Sequence, residues 1–508
     1  MLSTEKTSYD EVPYESFPIA GTHPDRLSTL ARLPGVDAAA LDTCRVLELG
    51  CAGGGNLIPM AVELPHAQFT GVDLSPVQVA DGDGVIRALN LSNVKLVAAS
   101  LMDIDDSYGP FDYIIAHGIY SWVPNAVQEK ILEICKRNLA PRGVAYVSYN
   151  TLPGWRMRGM IRDLMRYHAL QFPTPAERVT QARAMLDFLA RGTDENTAYG
   201  KLLRSELELL RGVPDYYIVH EHLDELNEPI YFHEFVERAA RHGLQYLADA
   251  DVTTMMASRF PPPVAETVRR IATDVIRQEQ LMDFLSNRTF RQTLLVHAEQ
   301  PIDRLITARR VKDLWVSSIA RPVSAKPNLT EGVVERFCTP AGMCVSTPRA
   351  ITKSALLTLA ARSPTAVALA ELVASAHSRL NPLAAKPPAD DVFEALAGDL
   401  LHAYAAGVVE LHVGASAFTV EPGERPVASC LARYQAERGA RVTTLRHESI
   451  VVPDAIRTLL PLLDGSRTLQ EISATVDARK PGIFGKFADP AALKSAVNDL
   501  ARNALIAS

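Results

Sequence analysis

One stretch constrains this chain more than any other: Arg45 to Asp73, reading RVLELGCAGGGNLIPMAVELPHAQFTGVD. It opens with Val46, Leu47 and Leu49, an apolar run the length of a strand buried on both faces. Gly50, Gly53, Gly54 and Gly55 follow, an apolar helical stretch begins at Leu57, and a second short run, Phe69 to Val72, ends in Asp73. This is a strand, a glycine-rich turn, a helix and a second strand with an acid at its tip. A turn without Cβ atoms admits positive φ and lets backbone N–H groups approach a ligand. Glu48 lies near that turn, where a carboxylate meets a cation, and Asp73 lies where a carboxylate accepts both hydroxyls of a ribose. The pattern describes a nucleoside pocket at the carboxyl ends of parallel strands. It is not the dinucleotide pattern, because Gly50-Cys51-Ala52-Gly53-Gly54-Gly55 lacks the second glycine of G-x-G-x-x-G.

At 508 residues the chain exceeds a single core, and two to four domains are expected. An apolar fraction of 47% and a charged fraction of 22% are those of a globular protein, and a net charge of −7 points to no polyanion partner. Cys44, Cys51, Cys135, Cys338, Cys344 and Cys430 are scattered without C-x-x-C or iron–sulfur spacing, so they are read as reduced thiols in a cytoplasm, Cys338 and Cys344 as core residues. The first residues are polar and acidic, unlike a signal peptide, and no apolar run is long enough to span a membrane.

Tyr14 and Phe17 belong to an irregular arm that either folds over the pocket or packs on the outside, and a helix is expected over Arg26 to Leu33. Beyond Asp73 a helix starts at Ser75-Pro76 and runs to about Leu89, and Val94 to Ala98 is a third strand. Asp103 is then a candidate acceptor for an exocyclic amine, with Leu101 or Met102 over the base; Asp105 and Asp106 read as solvated loop acids. Phe111 to Ala116 is a fourth strand delivering His117, Tyr120 and Trp122 to the pocket mouth. A helix over Val127 to Leu139 and a fifth strand, Gly143 to Tyr149, lead to Asn150 and Trp155. Tyr120, Trp122, Tyr149 and Trp155 sit at strand ends, where aromatic walls attract cations and exclude water, though the tryptophans also suit packing.

From Arg156 to about Gly212 the period is helical, an insertion of two or three helices. A helix over Phe232 to His242 and strands at Leu244 to Asp249 and Arg291 to His297 complete the sheet near residue 300, with strand candidates at Leu314 to Ile319 and Val333 to Phe337 beyond it. A weak repeat follows: Leu356 to Ala376 and Leu459 to Ala478 each precede a longer helix, the layout of a winged-helix-type module used twice. The candidate recognition helices, Ala370 to His377 and Gln470 to Val476, carry almost no Lys or Arg, so protein contacts are expected and nucleic acid is not. His220-Glu221-His222 and His233-Glu234 do not match a metal motif and read as packing or surface histidines; no metal is expected.

VPYES, THPDRL, VLELGCAGGGNLIPMA, FTGVDLS, FDYIIAHGIYSWVP and VSYNTLPGW together resemble the bacterial class I S-adenosylmethionine-dependent methyltransferases carrying a methyltransferase regulatory domain. That group includes rickettsial protein-lysine methyltransferases. EHLDELNEPIYFHEFVERAARHGLQYLADA is similar to their regulatory region, and LLPLLDGSRTLQEI to their C-terminal part. The resemblance implies an α/β fold: a seven-strand Rossmann-like methyltransferase domain with helical insertions, then mostly α, winged-helix-like modules. The expected division is a donor-binding core at 1–155, an insertion at 156–215, sheet completion and regulatory region at 216–300, and modules at 301–420 and 421–508. It implies an S-adenosyl-L-methionine site at Tyr14, Glu48, Gly50, Cys51, Gly53, Asn56, Asp73, Leu74, Leu101, Met102, Asp103 and His117. The acceptor site falls at His117, Tyr120, Trp122, Asn150 and Trp155. A lysine in a protein is the implied acceptor and a homodimer the implied assembly. Two rivals remain at this stage: a small-molecule or natural-product methyltransferase, and a non-catalytic S-adenosylmethionine-binding scaffold.

Overall fold

The structure, a computed structural model, describes residue 12 and residues 15–382, 390–479 and 490–508. An irregular arm leads into helix α1 (Pro24–Arg32), capped by His23, whose Nδ1 accepts from the Asp25 N–H. Strands and helices then alternate: β1 (Arg45–Leu49), α2 (Leu57–Glu63), β2 (Gln68–Asp73), α3 (Pro76–Ala88), β3 (Val94–Ala98), β4 (Phe111–Ala116), α4 (Asn125–Arg137) and β5 (Leu139–Asn150). Three inserted helices, α5 (Gly154–Ala169), α6 (Pro175–Gly192) and α7 (Ala198–Arg211), close on a core of their own that includes Ile161, Met165, Val179 and Leu203. The sheet is completed by α8 (Phe232–Arg241), β6 (Leu244–Asp249), α9 (Pro262–Ile271), α10 (Val275–Ser286) and β7 (Phe290–His297).

Seven strands form one sheet in the order β3-β2-β1-β4-β5-β7-β6, with β7 antiparallel between β5 and β6 and the first five parallel. Strand side chains alternate between faces. Val46, Tyr113, Ile115 and Tyr146 join one core, beneath α1 to α3, while Leu47, Ile114, Ala145 and Tyr149 join the other, beneath α4 and α8. By the same alternation Glu48 and His117 belong to the first face. The closing hairpin is clamped by charge. Arg291, fully buried, bonds Asp283 at 2.8 Å and Glu279 at 3.0 Å, and Arg288 bonds Asp249 at 2.9 Å.

The second half begins with β8 (Trp315–Ser317), β9 (Arg321–Pro322), β10 (Glu335–Cys338) and β11 (Cys344–Thr347). Here one expectation is corrected. Cys338 and Cys344 face each other across the antiparallel β10–β11 pair, with Cα atoms 4.2 Å apart, and are joined by a disulfide rather than being reduced core thiols. Helix α11 (Ala350–Arg362), β12 (Val367–Ala368), α12 (Leu369–Leu380), α13 (Asp390–Ala405) and β13 (Glu410–His412) form the first copy of the repeat, with β8 between β12 and β13. Its buried Leu359, Leu372, Leu396 and Leu411 are continuous with the core that holds Leu27 and Val46. The last copy has its own core, including Leu459, Leu463 and Val497. It contains α14 (Cys430–Arg438), the hairpin β14 (Arg441–Thr443) and β15 (Ser449–Val451), then α15 (Asp454–Leu459), α16 (Leu469–Arg479) and α17 (Pro490–Arg502). Among the described residues no helix is long and apolar enough to cross a membrane.

Candidate active site

The turn after β1 is shaped by left-handed backbone at Gly50 (φ +72°), Ala52 (φ +48°) and Gly54 (φ +72°). At Gly50 it is the left-handed backbone that calls for glycine, since a Cβ there would meet only the movable tip of Ile119, Cδ1 at 2.9 Å. At Gly55 a Cβ would overlap the Ser16 carbonyl. The arm therefore lies directly on the turn. Gly55 N–H donates to Ser16 Oγ at 2.8 Å, and Ile19 N–H to Asn56 Oδ1 at 2.9 Å. Asp73 stands at the tip of β2, its Oδ2 accepting from Ala52 N–H at 2.8 Å and its Oδ1 from Ser75 N–H at 2.9 Å. Those two bonds aim the carboxylate and tie the two strand ends together.

Glu48 is buried at the end of β1, its Oε1 accepting from Asn56 Nδ2 at 2.8 Å. Its Oε2 is buried with no hydrogen-bond partner among the described residues. Burial pushes the carboxyl up to about 8, the charge of Asp73 adds to the rise, and the Asn56 bond only partly opposes it. A buried carboxyl with one unpaired oxygen awaits a donor, and a cationic group would complete it. At the neighbouring ends of β2 and β3, Leu74 (54% exposed) and Met102 (50% exposed) hold apolar surface open, with Leu101 buried behind and Asp103 exposed beside them. Leu74 and Met102 present exposed apolar surface there, while the acids Asp73 and Asp103 disfavour a pyrophosphate. Cys51 and Gly53 are part of the turn. Cys51 is buried and its thiol is raised, by burial first and by Glu48 and Asp73 next, so it packs rather than reacts. Tyr14 lies outside the described residues.

The acceptor side starts at His117, the first residue beyond β4. Its Nδ1 lies 2.8 Å from the Tyr146 hydroxyl, which donates to Gln292 Oε1 at 3.0 Å. The single hydroxyl hydrogen goes to Gln292, so His117 donates from Nδ1 and Nε2 is left as the acceptor. Burial lowers this imidazole to about 4, which keeps it neutral at physiological pH. Trp122 and Trp155 meet edge to face with centroids 6.2 Å apart. Asn150 donates from Nδ2 to Asn227 Oδ1 at 2.9 Å, and the segment of Asn227 is stitched to the strand ends by Glu228 N–H to Ser121 O and Ile230 N–H to Asn150 O. Beside Trp155 and Asn227 opens a groove of about 730 Å³, also lined by Met160, Arg162, Tyr167 and Pro229.

Tyr120 does not join this group. It is 0% exposed, packed edge to face on Phe235 in the opposite core, and burial pushes its hydroxyl up to about 12. The short helical turn Tyr120–Trp122 swings it behind the sheet while leaving Trp122 in front. Tyr149 is likewise buried there, stacked on Phe235. The histidines of the insertion are packing groups. Ile218–Leu223 is a π-helical turn rather than a strand, His220 Nε2 meets the Val12 carbonyl at 2.7 Å, and His233 Nδ1 meets Gln280 Oε1 at 2.9 Å.

Three family models match the chain: a methyltransferase domain at residues 46–143, a predicted methyltransferase regulatory domain at 214–297, and the PKMT C-terminal winged helix domain at 424–480. An uncharacterized protein of Rickettsia prowazekii is 38% identical over 467 residues, 90% of this chain and 83% of its own. The solved structure of PKMT2 from Rickettsia typhi in complex with AdoHcy superposes with a TM-score of 0.87 at 32% identity, covering 98% of this chain and 100% of that one. A second solved structure of PKMT2 from Rickettsia typhi superposes with a TM-score of 0.85. The chain belongs to this methyltransferase family.

As a member of it, the chain is an S-adenosylmethionine-dependent methyltransferase. Sequence reasoning missed Asn227, Tyr146 and Gln292. Asn227 sits in an otherwise unremarked Asn-Glu-Pro turn, and Tyr146 stood out only as a polar tip in an apolar strand.

Proposed function

We propose that this methyltransferase acts on a lysine side chain of a protein. What supports the reading is that the likeness to PKMT2 runs through the regulatory and winged-helix parts and not the donor domain alone. The open groove at Trp155 and Asn227, lined by both charged and apolar side chains, suits a residue presented on a polypeptide better than a small molecule that must be enclosed.

S-adenosylmethionine, when bound, supplies a methyl group made electrophilic by its sulfonium. Glu48 would hold its cationic end, Asp73 its ribose, and Leu74 and Met102 its base. Trp122 and Trp155 would strip water from the incoming amine, which lowers its affinity for a proton and favours the neutral nucleophile. His117, kept neutral by burial, would accept that proton, with Tyr146 and Gln292 holding its ring. Asn150 and Asn227 supply polar contacts at the mouth. The same proposal includes the homodimer, read by sedimentation equilibrium, and a cytoplasmic location, which free Cys44, Cys51, Cys135 and Cys430 favour and the Cys338–Cys344 disulfide opposes.

Incubation with methyl-labelled donor and a cell lysate, then separation into proteins and small molecules, tests the acceptor. Label on lysine side chains by mass spectrometry supports the proposal; label confined to small molecules overturns it.

A further inference from the structure

We propose that the hairpin turn of the C-terminal module is part of the donor site, and that His447 is a positioning residue that sets Glu48 through Asn56. The inference rests on the donor reading above. The hairpin β14–β15 turns through Thr444 to Glu448, with His447 in the left-handed region (φ +57°) and only 2% exposed. Its Nε2 lies 2.7 Å from Asn56 Oδ1, although 391 residues separate the two in the chain.

The direction of every bond in this relay follows from the donors. Ile19 N–H can only donate, so the atom of Asn56 facing it is the carbonyl oxygen. Asn56 Nδ2 therefore faces Glu48 Oε1 at 2.8 Å and Thr22 Oγ1 at 3.0 Å. His447 must donate to Oδ1 from Nε2, which leaves its Nδ1 as the bare nitrogen, buried without a partner. Burial, with His23 5.3 Å away ring to ring, holds this imidazole neutral. The relay runs from His447 to Asn56 to Glu48 and ends on Oε2, the oxygen of the carboxyl that has no hydrogen-bond partner among the described residues.

The hairpin is fastened in place from several sides. Arg446 pairs with Glu410 of β13 at 3.4 Å and with Glu448 at 3.3 Å, Leu445 N–H donates to Ala504 O at 2.8 Å, and Arg441 lies over the Phe17 ring of the arm at 4.8 Å. A buried amide that loses its shortest bond is free to tilt, and the carboxyl it holds tilts with it. Hairpin docking and donor binding are then linked, and the linkage is reciprocal.

Calorimetric titration of the full chain with S-adenosylhomocysteine tests this on two variants. His447→Phe keeps a ring against His23 but has no donor; His447→Gln loses the ring but keeps an N–H donor of similar reach. The relay requires that phenylalanine weaken binding by about tenfold or more while glutamine stays within about threefold of wild type. A packing role requires the reverse order, and phenylalanine binding as tightly as wild type overturns the proposal. Should His447→Phe fail to fold by circular dichroism, His447→Ala takes its place with glutamine as the rescue, and alanine matching wild type overturns it equally. Amide exchange across residues 441–452 is the second readout: slowing on addition of S-adenosylhomocysteine in wild type and glutamine supports the linkage, and no slowing in wild type contradicts it. A wild-type protein that binds no S-adenosylhomocysteine removes the donor reading itself, which the same titration series separates from failure of the relay.

Discussion

At the residue scale, the donor cleft turns on a carboxyl that is protonated until a ligand charges it. Glu48 is held near 8 by burial, so a cationic ligand that binds its ionised form releases a proton. Affinity for S-adenosylhomocysteine is therefore expected to fall as pH drops below 8 and to level off above it, with Glu48→Gln weaker and flat; calorimetry in buffers of different ionisation enthalpy reads the released proton. The sign for stability is opposite. The folded-state value exceeds the ordinary carboxyl value of 4.5, so the folded protein binds the extra proton and loses stability as pH rises from about 4.5 to about 8. Ligand-free Glu48→Gln is accordingly expected to melt higher than wild type above pH 8. Asp73→Ala, which also strands the Ala52 and Ser75 N–H groups, is expected to cost about 2–4 kcal/mol of donor affinity, of the order of a hundredfold. On the acceptor side, Trp122→Ala or His117→Ala is expected to lower kcat by about 10²-fold while donor affinity measured by calorimetry stays within a few-fold. Tyr120→Phe removes a hydroxyl that never reaches the cleft, and kcat near wild type is the outcome that fits its burial.

At the element scale, β3, β4 and β6 were legible to the residue, because each is a short, mainly apolar run bounded by turn signals, even where, as at the exposed Lys95 of the edge strand β3, a polar residue interrupts it. The placement of Glu48 and Asp73 at the ends of β1 and β2 was legible in the same way. What the alternation cannot give is the direction taken after a strand ends. Tyr120 and Trp122 are two apart and emerge on opposite sides because a short helical turn intervenes. Cys338 and Cys344, six apart, were opaque for a related reason: only the register of β10 against β11 brings them together. The charged clamp on β7 was also hidden, since Arg291, Asp249, Glu279 and Asp283 come from three elements. Two arginines there face three acids, and burial leaves Glu279 near 7 even with Arg291 against it. Arg291→Met leaves Arg288 alone against three buried acids and strips Glu279 of its partner, and is expected to destabilise the sheet by about 3–5 kcal/mol in denaturant unfolding.

At the scale of the whole molecule, the tail is joined to the donor half at the surface that carries the arm. His412 Nδ1 meets Asp25 Oδ2 at 2.7 Å and Val413 N–H donates to Asp25 Oδ1 at 2.8 Å, so the first repeat grips α1 while the second reaches Asn56. The first copy shares its core with the sheet and the last does not, so the two halves of the repeat differ in how they depend on the rest. The repeat was visible in sequence, but this docking was not, because its contacts join residues hundreds of positions apart. All of it presupposes a cleft built for a sulfonium-bearing nucleoside. A crystal structure of the chain with S-adenosylhomocysteine is the most direct measurement: the account places the ligand against Gly50 to Gly55, with its ammonium on Glu48 and its ribose hydroxyls on Asp73, and a ligand bound elsewhere, or a cleft filled by side chains, would contradict it.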